Sequence, residues 1–238
     1  GNQPFFMACG IQKPHVPFLA PDKYFAMYPP AELKFTPAST DFWNQAPKIA
    51  QTKRYQGFGF EFGVENDELR REYMQAYHAC ITFIDAQIGI VFDALKRSGH
   101  WDDTIVMLTS DHGYLLGEKF MWGKMMLFET CDRVPLVIRA PGHTRAGSSS
   151  DGLVELVDLY PTLTQLCAIK PPAELQGKSL VPMLRDSKKP GKEVAYTVVV
   201  RGSDLGKAIR TDRWRYTEWG GGREGVELYD HRSDPLEF

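Results

Sequence analysis

An aspartate and a histidine stand side by side at Asp111-His112, after an apolar run and immediately before Gly113. A carboxylate and an imidazole presented together can ligate a divalent cation, and glycine lets the backbone turn sharply beside them because it carries no Cβ. The same tripeptide also suits an Asx turn with a hydrogen-bonded histidine, so the pair alone leaves both readings open. Lys124 closes the same loop, with Tyr114, Glu118 and Trp122 inside it. A lone lysine is ordinarily solvated, but one fixed beside a reacting group stabilises negative charge as it develops. A second loop, Lys13-Pro14-His15, holds an imidazole among prolines. There it could hydrogen-bond a substrate or give up a proton, or simply pack. Tyr114, Glu118 and Trp122 read first as structural, with Tyr114 and Trp122 retained as candidate substrate contacts. His78, His100, His143, His231 and Asp85 read as structural or exposed.

The elements that must position these side chains follow from periodicity. Residues 4–9 (PFFMAC) form a short apolar run bounded by Pro and Gly, which predicts a fully buried parallel strand. Residues 12–21 leave it through a proline-stiffened extended loop holding His15. Residues 29–66 carry no sustained period and read as an ordered insertion or lid. From Asn66 to Gly99, apolar residues recur at steps of four and three through Leu69, Tyr73, Tyr77, Cys80, Ile84, Ile88, Val91 and Leu95. Asn66 can cap that helix, Asp67 and Glu68 suit its positive end, and Lys96 and Arg97 its negative end.

Residues 103–109 then predict a buried strand ending at the Asp111-His112 loop, and residues 134–140 another. Strand, long helix, strand, loop, strand is the grammar of an α/β sandwich with a mainly parallel sheet. Its ligands gather at the carboxyl ends of the strands. Residues 158–167 fit a helix with Pro161 in its first turn. After Pro171-Pro172 a short helix at 179–185 and strands at 194–200, 207–211, 214–219 and 226–229 predict a small antiparallel subdomain. Domains are therefore expected at 1–173 and 174–238.

Composition narrows the field. The 238 residues are 43% hydrophobic and 24% charged, too apolar for a disordered chain. A net charge of −2 offers no basic field for nucleic acid. No membrane span is expected, since no run approaches the roughly 20 apolar residues a bilayer needs. The start does not have the charged-then-apolar pattern of a signal peptide. Cys9, Cys80, Cys131 and Cys167 show no CxxC spacing and are expected to be buried free thiols rather than a zinc cage or disulfide framework. The three Asn lie outside any Asn-x-Ser/Thr sequon, which favours a periplasmic or secreted bacterial setting over a lysosomal one.

Several blocks in order carry a resemblance. Thr109-Ser-Asp-His-Gly-Tyr-Leu-Leu-Gly-Glu118, Trp122-Gly-Lys124 and Val134-Pro-Leu-Val-Ile138 resemble the second metal-binding block of the sulfatases of the alkaline phosphatase superfamily. Lys13-Pro-His-Val-Pro17, Val154-Glu-Leu-Val-Asp-Leu-Tyr-Pro-Thr-Leu163, Trp214-Arg-Tyr-Thr-Glu-Trp219 and Glu227-Leu-Tyr-Asp with Ser233-Asp-Pro235 are similar to the iduronate-2-sulfatase branch. The resemblance implies an alkaline-phosphatase-like sandwich and cleavage of sulfate esters on a sulfated sugar or glycosaminoglycan. It implies a divalent cation, Ca²⁺ first and Mg²⁺ or Mn²⁺ next, ligated by Asp111 and His112. It implies that Lys124 contacts the sulfate and His15 lies near the sulfate and the leaving oxygen.

The family's nucleophile is a formylglycine made from Cys in Cys-x-Pro-x-Arg, and none of the four cysteine windows fits. The expectation is therefore of the C-terminal half to two thirds of a sulfatase, inactive alone. Such a chain is expected to self-associate or to pair with an N-terminal segment bearing the nucleophile and paired aspartates. A phosphodiesterase or phosphonate hydrolase of the same superfamily, and a non-catalytic carbohydrate-binding relative, are the alternatives.

Overall fold

The computed structural model describes residues 3–36, 41–52, 56–57, 60–62, 66–172 and 174–238. In chain order it contains α1 (Asp22–Phe25), α2 (Phe42–Gln45), the two-residue strands β1 (Gln56–Gly57) and β2 (Phe60–Glu61), and the long α3 (Asp67–Arg97). There follow β3 (Val106–Thr109), β4 (Leu115–Leu116), β5 (Trp122–Gly123), α4 (Glu129–Asp132) and β6 (Leu136–Arg139). The chain ends with α5 (Leu159–Leu166), α6 (Val181–Arg185), β7 (Ala195–Arg201), β8 (Asp204–Arg210), β9 (Trp214–Trp219) and β10 (Gly225–Asp230). Two compact units result, Gly1–Thr36 with Gly57–Trp101, and Pro37–Gln56 with Asp102–Phe238.

The first unit is built on α3. Its 31 residues run about 46 Å at 1.5 Å per residue. The predicted cap is present, with Asn66 Oδ1 accepting from the Leu69 amide at 3.0 Å. Phe18 packs edge-on against Tyr73 and Tyr77, with ring centroids 4.8 and 5.7 Å away, and Tyr24 meets Phe83 at 5.5 Å. The apolar stripe is buried only in its first half, at Tyr73, Met74, Ala79 and Cys80. Ile84, Ile88, Val91 and Leu95 remain partly exposed. By length and composition alone this helix could cross a bilayer, which amends the expectation that no segment approaches that length. Of the apolar 18-residue window of this helix, 11% is buried.

Residues 4–9 are not a strand. None of them is assigned to a strand pairing, and Phe5, Phe6 and Met7 are exposed. An apolar run states that a segment suits burial, but a strand also needs a neighbour for its N–H and C=O groups. Two of the expected buried thiols, Cys9 and Cys167, are likewise exposed, while Cys80 and Cys131 are buried.

In the second unit β3 pairs with β6, Thr109 opposite Leu136, and the pairing is antiparallel. The ladder described in the sheet expected to be mainly parallel therefore runs the other way. A period of two fixes which face is buried but not the direction of the neighbour. β7 to β10 form the expected antiparallel sheet, in the order β10-β9-β8-β7. One face, through Ala208, Trp219 and Tyr229, packs on Phe42, Ala46, Ala50, Leu115, Met121 and Phe128. The stretch expected to be a lid thus supplies core residues where it is described. The rest of it lies in part outside the described residues.

Candidate active site

Asp111 and His112 follow directly on the carboxyl end of β3. The Asp111 Oδ1 accepts from the His112 amide at 3.0 Å, and Ser110 Oγ donates to the His112 carbonyl at 3.0 Å. Gly113 is fixed by close approach: its amide donates to the Cys131 carbonyl at 2.7 Å. A Cβ at this position would lie 2.0 Å from the Thr130 carbonyl oxygen. The chain then forms the hairpin β4–β5, Leu115 opposite Gly123 and Leu116 opposite Trp122, turning at Gly117 with φ 113°. Glu118 braces the turn by accepting from the Leu116 amide at 2.6 Å. The hairpin returns the chain to its start, so that Lys124 meets His112.

Lys124 Nζ lies 3.0 Å from His112 Nε2, and that nitrogen lies 3.5 Å from Asp111 Oδ2. The tautomer follows from the other ring nitrogen. Nδ1 stands 2.8 Å from the Gly113 carbonyl, which can only accept, so Nδ1 carries the proton. In the neutral ring Nε2 therefore presents its lone pair, to Lys124 or to a metal. The Asp111 side chain is 84% exposed. Its residual burial opposes charge, but His112, the backbone amides of Asp111 and His112, and Lys124 outweigh that and hold its carboxyl below the usual range. A hard oxygen and an unprotonated imidazole nitrogen on one side of a loop fit part of a divalent cation's shell.

Trp122 is 4% exposed, with its indole against Gly117, which gives it a packing role in the hairpin rather than a substrate-facing one. Tyr114 is half-buried in the same loop. His15 belongs to the first unit. Its Nδ1 stands 2.8 Å from the Val16 carbonyl and so also carries a proton, while Lys13 Nζ donates to the carbonyls of His15, at 3.1 Å, and of Pro17. His78 is structural, its Nδ1 donating to the Met74 carbonyl at 2.7 Å.

Among the described residues one further group has metal-ligand character: Glu129, His231 and Glu237 place their donor atoms within 4.8 Å of one another. Sequence spacing hides it, because Glu129 lies about a hundred residues before His231 and Glu237. Arg215 already fills it, with Nη2 2.6 Å from Glu129, Nε 2.7 Å from Glu237 and Nη1 2.7 Å from Asp132. A buried guanidinium among three carboxylates repels a second cation, so this cluster fits an ion-pair network.

The "Sulfatase" family model matches residues 1–169, and that of "N-sulphoglucosamine sulphohydrolase, C-terminal" matches residues 117–238. A sulfatase of Formosa agariphila is 36% identical over 100% of this chain and 46% of its own length. Human iduronate 2-sulfatase is 29% identical over 98% of this chain and 57% of its own. The phosphonate monoester hydrolase of Agrobacterium radiobacter superposes with a TM-score of 0.79 at 27% identity, over 94% of this chain and 50% of that one. The chain thus spans about half the length of the curated relatives it matches.

Proposed function

The chain belongs to the sulfatase family of the alkaline phosphatase superfamily, and on that premise we propose that it carries the cation- and anion-binding part of a sulfuric ester hydrolase acting on a sulfated sugar. The observation that carries this is the convergence of Asp111 Oδ2, His112 Nε2 and Lys124 Nζ at the carboxyl end of β3. Similarity to an iduronate 2-sulfatase supports a glycosaminoglycan-type substrate. Asp111 and His112 would hold the divalent cation, Ca²⁺ first and Mg²⁺ or Mn²⁺ next, the imidazole suiting Mn²⁺ better than Ca²⁺. Such a cation would polarise the sulfuryl oxygens.

Lys124 presents three N–H donors and a fixed positive charge to those oxygens, where charge accumulates during transfer. Nε2 of His112 has a single lone pair, so Lys124 and a cation are alternative partners for it. Ligation by His112 would leave the ammonium to the anionic group. Nδ1–H, held by the Gly113 carbonyl, keeps the ring in the ligating tautomer throughout. His15, when protonated, carries a second proton on Nε2 that can pass to the departing alcohol.

None of the cysteines stands in Cys-x-Pro-x-Arg, so the 238 residues by themselves are proposed not to turn over. The exposed Phe5, Phe6 and Met7 favour self-association or pairing with a nucleophile-bearing segment. The test compares these residues alone with the same residues joined to a segment bearing Cys- or Ser-x-Pro-x-Arg, on an aryl sulfate and a phosphonate monoester. Preference for the sulfate ester in the joined protein, with none released by the chain alone, is expected. Preference for the phosphonate ester would favour the second reading, which the likeness to a phosphonate monoester hydrolase supports. Turnover by the chain alone would contradict the first.

A further inference from the structure

Lys124 leaves the hairpin between two left-handed residues, Gly123 at φ 126° and Met125 at φ 66°. Met125 carries a Cβ, so its conformation is strained and persists only where surrounding contacts over-determine it. Arg201, at the end of β7, supplies such contacts. Its Nη2 donates to the Met125 carbonyl at 3.0 Å, and its Nη1 donates to the carbonyls of Gln51, at 3.0 Å, and of Ile49. Its guanidinium lies 5.4 Å from the ring centroid of Trp219, a residue 1% exposed in the core of this unit. The planar fork holds three carbonyls on two segments at once in a fixed geometry, which a compact, rotatable ammonium does not supply.

We infer that Arg201 is a positioning residue for Lys124: by holding the Met125 carbonyl it fixes the backbone where the ammonium departs, and so sets the ammonium against the anion. This rests on Lys124 being the anion contact. A rotation at Met125 would shift the backbone that holds Nζ 3.0 Å from His112 Nε2.

The experiment titrates inorganic sulfate into the 238-residue chain and follows the Lys124 ε-methylene and His112 ring signals by NMR. Arg201→Met, Arg201→Lys, Lys124→Met and the Arg201→Met/Lys124→Met double variant are compared at a temperature where thermal melts show each to be folded. Arg201→Met is expected to weaken sulfate binding roughly tenfold, in line with the sensitivity of sites to small displacements. Arg201→Lys should recover part of that affinity, and the double variant should bind no more weakly than Lys124→Met. If Arg201→Met does not fold, a loss of affinity in Arg201→Lys that is absent on the Lys124→Met background supports the inference. Wild-type affinity in the Arg201 variants, or an equal loss on the Lys124→Met background, overturns it while leaving Lys124 in place. Unchanged sulfate binding in Lys124→Met, or no response of Lys124 to sulfate in the wild type, removes the Lys124 assignment itself and the inference with it.

Discussion

Gly113→Ala puts a methyl group where the fold leaves none. Its Cβ would stand 2.0 Å from the Thr130 carbonyl oxygen and 3.2 Å from the Cys131 Cα, whereas real Cβ contacts essentially never fall below 3.0 Å. The loop and α4 must therefore separate by about 1 Å, which is comparable to the overpacking that costs about 1–3 kcal/mol in well-packed regions. The 2.7 Å bond from the Gly113 amide to the Cys131 carbonyl crosses the same gap. Stretched by that amount it leaves hydrogen-bond range and forfeits about 1 kcal/mol more. A destabilisation of about 2–4 kcal/mol results, a large share of the ~5–15 kcal/mol that holds a typical domain. Urea unfolding followed by tryptophan fluorescence measures it as a fall in midpoint at constant slope. Because Asp111 and His112 precede the displaced residue and the hairpin follows it, sulfate affinity should fall as well. A loss below about 0.5 kcal/mol would refute the close-approach account of Gly113.

Arg215→Met leaves Glu129, Asp132 and Glu237 without their shared guanidinium and should cost about 3–5 kcal/mol in the same unfolding assay. Asp132 is pushed up to about 7 by burial, against the pull of Arg215, so the folded state binds its proton more tightly than the unfolded chain does. Its contribution to stability is then full below about pH 4 and lost as pH rises through 7; Asp132→Asn should flatten stability measured across that window, and an unchanged slope would count against it. In protein joined to a nucleophile-bearing segment, His15→Ala should slow alkyl sulfates more than activated aryl sulfates, because a good leaving group needs little protonation. Equal losses on both would make His15 a binding or packing residue.

The elements most legible in the sequence were those with a local signal. The Asn66 cap, the basic last turn and the 3.6-residue spacing gave α3 to within a residue or two, and alternation with Gly and Asp turns gave the four strands from Ala195 to Asp230. Local signals do not specify partners. Residues 4–9 have a strand's composition without its pairing, and β3 meets β6 antiparallel where chain order suggested otherwise. Of the candidate site, the adjacency of Asp111 and His112 is legible in the sequence, whereas the meeting of Lys124 with His112 depends on the hairpin between them. Burial of Trp122 depends on the hairpin closing, and the Arg215 cluster and the Arg201 brace join segments far apart in the chain, so neither spacing nor periodicity could reveal them.

The cation site is the centre of the account, and paramagnetic relaxation by Mn²⁺ tests it most directly. Added at a small fraction of the protein concentration, Mn²⁺ should broaden first the NMR signals of residues 110–113 and of Lys124, and Asp111→Asn should abolish that pattern. Broadening centred on Glu129, His231 and Glu237, or a pattern indifferent to Asp111→Asn, would contradict the placement of the metal at Asp111 and His112.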